Sequence, residues 1–120
     1  MFHTSYFRDS YNDFKSALKS YDKNFNERLF LKAIEVAETS HKDQFRASGD
    51  PYIVHPYEVC KSLIDLKLDT ETVITGLLHD VIEDTSYSSE QLNKEFGSSI
   101  FNLVNGLTKI DFLEEKKITK

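Results

Sequence analysis

Apolar positions along the chain fall into six clusters with helical spacing, separated by short polar breaks. Phe7, Tyr11, Phe14, Leu18 and Tyr21 recur at i, i+4, i+7, i+11 and i+14, which places them on one face of an amphipathic helix. Asn24 or Asn26 can cap a second helix, with Leu29, Phe30, Ala33, Ile34 and Ala37 inward, fading near His41 or Gln44. Gly49 and Pro51 mark the stretch from Arg46 to Tyr52 as a loop. His55-Pro56 is expected to start a third helix, with proline at its first position and Val59, Leu63, Ile64 and Leu66 buried. Asp69 or Thr70 caps a fourth, whose wide apolar face is Val73, Ile74, Leu77, Leu78, Val81 and Ile82. Ser88 with Gln91 reads as a capping box for a short fifth helix that stops at Gly97. The sixth runs through Ile100, Phe101, Leu103 and Val104 to about Leu107, before a charged stretch from Asp111 to Lys120. Strand alternation, repeats and interdomain linkers are absent from the pattern. The expectation is one all-α domain, with residues 1–24 as an N-terminal amphipathic helix, 25–109 as the main body and 110–120 as a charged tail.

Composition changes this picture little. At 120 residues, with 39% hydrophobic and 29% charged content, the chain suits one soluble globular domain with a modest core. The net charge of −5 argues against a surface built for duplex nucleic acid or anionic lipid, while leaving room for a local basic site. Cys60 stands alone, so no disulfide framework exists and a reducing cytoplasm is the expected location. Arg8, Asp9, Asp13 and Lys15 interrupt the N-terminal aromatics, unlike a secretory h-region, and the apolar runs are too short to span a bilayer.

The fourth cluster carries the chemistry. His79, Asp80, Glu83 and Asp84 sit inside Thr75-Gly-Leu-Leu-His-Asp-Val-Ile-Glu-Asp-Thr85, and charge placed in an oily helix is costly unless paired, hydrogen-bonded or bound to metal. In a helix His79 and Glu83 share one face, and Asp80 and Asp84 the adjacent one. His79 and Asp80 can reach one ion near their shared edge, and His55 could add a nitrogen from the neighbouring helix start. Imidazole with carboxylate suits manganese, iron, zinc or cobalt. Such an ion would lower the pKa of a bound water and hold phosphoryl oxygens, with Glu83 one turn away to orient or deprotonate that water. Structural ion-pair networks give similar patterns. Arg46 could fork onto a phosphate or stack on a base, and Tyr52 could stack or pack.

Ala37-Glu-Thr-Ser-His-Lys-Asp-Gln44, Arg46-Ala-Ser-Gly-Asp-Pro-Tyr-Ile-Val-His-Pro56, Gly76-Leu-Leu-His-Asp-Val-Ile-Glu-Asp-Thr85, Phe96-Gly97 and Val104-Asn-Gly-Leu-Thr-Lys109 occur in that order. Together, over roughly two-thirds of the chain from about Leu29 to Lys109, they resemble the hydrolase domain of the RelA/SpoT family. That family belongs to the HD-type metal phosphohydrolases and removes the 3′ pyrophosphate from ppGpp and pppGpp in the stringent response. The resemblance implies His55, His79 and Asp80 as ligands of Mn²⁺ and Glu83 and Asp84 as the catalytic acidic pair. It implies Arg46 stacked on guanine, with Ser48 and Tyr52 holding the nucleotide. Two departures stand out: Ala47 replaces a lysine common in the family, and the family's distal metal-binding Asp is absent, with only Asp111, Glu114 and Glu115 after Lys109 to stand in for it. The expectation is therefore an HD-like bundle incomplete at its C-terminus, with Phe101, Leu103 or Phe112 exposed and self-association or pairing with a complementary C-terminal fragment. Against a manganese-dependent (p)ppGpp hydrolase stand an inactive nucleotide- or metal-binding remnant and an HD hydrolase of another phosphorylated nucleotide.

Overall fold

A computed structural model describes the backbone of residues 5–118 and the side chains of residues 7–109. It contains α1 (Ser5–Tyr21), α2 (Glu27–Ser40), α3 (Val54–Asp65), α4 (Thr70–Asp84), α5 (Ser89–Phe96) and α6 (Ser98–Ile118). No strand occurs among the described residues, and one isolated bridge joins Phe45 and Pro51. No described helix is long and apolar enough to cross a membrane.

Helix α4 runs through the middle, against α2, α3 and α6, because its apolar face is broad enough to meet three neighbours. Val73, Ile74, Leu77, Leu78 and Val81 are all fully buried, each contributing about 1.5–3 kcal/mol by leaving water. Helix α1 lies on α2 and α3 and inserts Phe7, Tyr11, Phe14 and Leu18 into the same core. Phe7 and Phe14 meet the Tyr57 ring edge-on, at centroid distances of 5.2 and 5.7 Å. Gly76 lets α3 approach α4 closely, since a Cβ there would stand 2.5 Å from Leu63 Cδ1 and 3.3 Å from Val59 Cγ1.

The helix starts follow side-chain chemistry. Asn26, rather than Asn24, caps α2 by accepting from the Leu29 N–H at 3.0 Å. Asp69 caps α4 through the Thr72 N–H at 2.9 Å. Ser88 and Gln91 form the reciprocal capping box of α5, which ends at Gly97 with φ 90°.

Three expectations need correction. Helix α3 begins at Val54, so Pro56 is its third residue, where a missing N–H still falls among the donors that the first turn leaves unpaired. Its buried face is Pro56, Tyr57, Cys60 and Ile64, whereas Leu66 is 70% exposed, because α3 ends at Asp65 and Lys67 reverses the chain with φ 58°. Helix α6 continues to Ile118 instead of stopping near Leu107, as no glycine or proline follows Gly106 and the remaining residues form helix readily. Among the residues expected on the surface, Leu103 is exposed, Phe101 is half-buried against the core, and Phe112 lies outside the described side chains.

The end of α1 is tied to the start of α4 by Asp22. Its carboxylate accepts from the Thr70 N–H at 2.8 Å and from the Thr70 hydroxyl, and a further oxygen accepts from the Asn24 N–H at 3.0 Å. The Thr70 bonds, side chain first, hold the Asp22 carboxyl below the usual carboxylate range. A group lowered in the folded state stabilises fully above its unfolded value near about 3.9 and loses that contribution as pH falls through the folded value. Asp22→Asn is expected to cost on the order of 1–2 kcal/mol at pH 7. The gap from the parent should close below pH about 4 in denaturant titrations. Gly76→Val is expected to destabilise by about 2 kcal/mol in the same measurement, because the added methyls meet Leu63 and Val59.

Candidate metal and catalytic site

The face of α4 that is not committed to the core carries the ionisable groups. His79 and Asp80 are half-buried, Glu83 and Asp84 exposed, so the strip grades from the core edge outward. The His79 ring stands between two carboxylates, with Nδ1 3.6 Å from Asp80 Oδ1 and Nε2 3.5 Å from Glu83 Oε1. Asp80 turns its other oxygen to α3, where His55 Nε2 lies 3.4 Å from Oδ2. His79, Asp80 and Glu83 each offer a ligand atom, all within 4.8 Å of one another. Separations of 3.4–3.6 Å are long for hydrogen bonds. They are close to the spacing of atoms sharing one cation, about 3.0–3.5 Å when each ligand sits about 2.1 Å from it. The donors present, imidazole nitrogen and carboxylate oxygen, fit a divalent cation of the manganese-to-zinc series.

The loop between α2 and α3 reaches the far end of this strip. It is a tight hairpin: Tyr52 N–H donates to the Gln44 carbonyl, Arg46 N–H to the Asp50 carbonyl and Gly49 N–H to the Arg46 carbonyl, all at 2.8 Å. Gly49 sits at the turn with φ 92°, a conformation side chains resist. The hairpin delivers Tyr52, whose hydroxyl donates to Asp84 Oδ2 at 3.0 Å. Burial first, then the Asp80 charge and the bond to Asp84, push the Tyr52 phenol up to about 12, with Arg46 pulling the other way. Tyr52 is thus a neutral donor at ordinary pH.

The residues singled out from sequence are placed unequally. His79, Asp80 and Glu83 converge, His55 joins them through Asp80, and Asp84 is tied to Tyr52. Arg46 is exposed on the hairpin near Tyr52. Ser48 is also exposed, and its hydroxyl donates to Asp50 Oδ2 at 3.1 Å instead of facing the cluster.

Sequence reasoning passed over His41, Gln44 and Glu38. His41 is buried, 1% exposed, with its ring against Tyr52 at a centroid distance of 4.6 Å. Its Nδ1 lies 3.0 Å from Gln44 Oε1, and Gln44 Nε2 donates to the Asp84 backbone carbonyl at 3.0 Å. Glu38, 2% exposed, accepts from the Tyr57 hydroxyl at 3.1 Å. A signal existed: Glu38 and His41 continue the apolar register of Ile34 and Ala37 at i+4, where a charged or polar side chain must be buried.

Comparison with known proteins supplies context for this geometry. A family model described as the HD domain matches residues 33–119. The chain is 43% identical over 106 residues to the guanosine-3′,5′-bis(diphosphate) 3′-pyrophosphohydrolase of Borreliella burgdorferi, covering 88% of this chain and 16% of that protein. It is 51% identical over 79 residues to the protein of that name from Haemophilus influenzae, covering 66% of this chain and 12% of the relative. A probable GTP pyrophosphokinase of Mycobacterium leprae is 44% identical over 93 residues, covering 78% of this chain and 12% of that protein. The chain thus spans between 12% and 16% of the length of these three relatives.

Cation binding is directly measurable. A divalent ion at a hundredfold excess over its Kd should stabilise the folded chain by about 2.7 kcal/mol, seen as a raised Tm. Asp80→Asn, which removes the carboxylate shared by His55 and His79, should weaken binding at least about tenfold by calorimetric titration.

Proposed function

The chain belongs to the HD domain family, and from that membership we propose that it hydrolyses guanosine 3′,5′-bis(diphosphate) and the pentaphosphate to GDP or GTP and pyrophosphate. The observation that carries this reading is the convergence of His79, Asp80 and Glu83 on one small volume, with Asp84 held beside them by Tyr52. The names of the relatives include both hydrolysis and pyrophosphate transfer to GTP. A cluster of imidazole and carboxylate ligands supports the hydrolytic one, since it suits activation of water.

Manganese is the proposed ion, held by His55, His79 and Asp80. Bound there, it would supply an acidified water and positive charge for the phosphoryl oxygens. Glu83, one helical turn beyond His79, takes a proton from the attacking water, and its exposure leaves it open to substrate. Asp84 acts beside it, oriented by the Tyr52 hydroxyl. The water oxygen bonds to the phosphorus attached at the ribose 3′ position, and the bond from that phosphorus to the 3′ oxygen breaks. The leaving 3′ oxygen receives the proton that Glu83 took from water, which restores the carboxylate. Arg46 stacks on the guanine or forks onto a phosphate from the hairpin tip, with Ser48 and Tyr52 completing the nucleotide side. The chain acts in the cytoplasm, in keeping with its lone cysteine. Exposed Leu103 and Leu107 support self-association through the α6 face.

Purified 120-residue chain, given ppGpp and Mn²⁺, should release GDP and pyrophosphate, and EDTA should stop the release. His79→Ala with Asp80→Ala should lower the rate at least about 100-fold. A folded, cation-binding chain that releases no pyrophosphate would refute the hydrolase reading.

A further inference from the structure

Asp84 is gripped from two directions by the segment that follows α2. Its carboxylate accepts from the Tyr52 hydroxyl, and its backbone carbonyl accepts from Gln44 Nε2, both at 3.0 Å. That carbonyl is one of four that a helix leaves without an internal partner at its C-terminal end. Both grips converge on His41. Its imidazole lies against the Tyr52 ring, with planes 32° apart, and its Nδ1 faces Gln44 Oε1 at 3.0 Å.

The hydrogen-bond roles are fixed by elimination. A backbone carbonyl only accepts, so the Gln44 amide turns its NH₂ to Asp84 and its oxygen to His41. Nδ1 therefore carries a proton, and Nε2 is the nitrogen on the far edge of the ring. That Nε2 is buried and has no hydrogen-bond partner among the described residues. Burying a polar nitrogen without a partner costs folding free energy that a phenyl ring of similar shape would not. Stability alone does not account for an imidazole at this position; the link through Gln44 to Asp84 does.

We propose that His41 is a positioning residue for Asp84, acting from beneath the site through Gln44 and Tyr52. It is too deeply buried to touch substrate, and its own hydrogen bond does not involve His55, His79 or Asp80, although the Tyr52 ring it supports also meets His55 edge-on at a centroid distance of 6.2 Å. Its effect is to keep the last turn of α4 closed and the Asp84 carboxylate beside Glu83. The kinetic consequence rests on the hydrolase reading above, whereas the mechanical linkage does not.

His41→Phe in the full chain keeps a flat ring against Tyr52 and removes both ring nitrogens, of which only Nδ1 has a hydrogen-bond partner among the described residues. The Tm should not fall, and cation affinity by calorimetry should stay within about twofold, as no ligand is replaced and the Tyr52 ring beside His55 keeps a flat neighbour. Turnover of ppGpp should drop about tenfold in kcat with KM little changed, the effect of one lost hydrogen bond. In an Asp84→Asn background the same change should cost nothing further. Hydrogen exchange at the Thr85 amide, which bonds the Val81 carbonyl at 3.1 Å and closes α4, should accelerate. Should His41→Phe fail to fold, Gln44→Met severs the same link from a half-buried position and should give the same pattern. An equal loss in the Asp84→Asn background, or unchanged Thr85 exchange, overturns the proposal. If the parent chain binds the cation but releases no pyrophosphate, the hydrolase reading falls and Thr85 exchange alone decides whether His41 holds Asp84.

Discussion

Helix α4 has to bury one face completely while presenting ionisable groups on the other, and the rest of the molecule is arranged around that requirement. Val73, Ile74, Leu77, Leu78 and Val81 leave no room for movement of the helix about its axis. The positions of His79, Asp80, Glu83 and Asp84 are then set by the 3.6-residue period rather than by loop geometry. A site built on a rigid element holds its groups within a few tenths of an ångström at no further entropic cost. Helix α3 completes the arrangement by adding His55, and Gly76 permits the close approach that brings it there.

What α4 cannot supply is order at its own C-terminal end, where the acidic pair lies. Terminal carbonyls lack internal partners and terminal turns fray. The hairpin from Gln44 to Tyr52 answers this with two side chains, one on the Asp84 carbonyl and one on its carboxylate. The same hairpin exposes Arg46 on its outer side. One short loop thus stabilises a helix terminus and carries an exposed cation, so the proposed catalytic and recognition halves of the site would share a single mechanical support. His41 lies under that support, where the apolar register of α2 brings a polar ring into the core.

The six helices, their order and most of their inward faces were legible in the sequence, because amphipathic spacing and capping chemistry are local properties. Asn26, Asp69, Ser88 and Gly97 punctuate the chain through contacts with residues no more than four away. The grouping of His79 with Glu83 was legible for the same reason, since i and i+4 meet in any helix. The burial of Leu66 and the end of α6 were misjudged. In the first, a single positive-φ residue, Lys67, turned the chain away from the core. In the second, charged composition was taken for an end although the residues favour helix. The Tyr52 bond to Asp84, the approach of His55 to Asp80 and the burial of His41 beneath Tyr52 were decided by tertiary structure alone. These join residues 11 to 32 positions apart on separate elements, and only the packing of α2 and α3 on α4 fixes which side chains then meet.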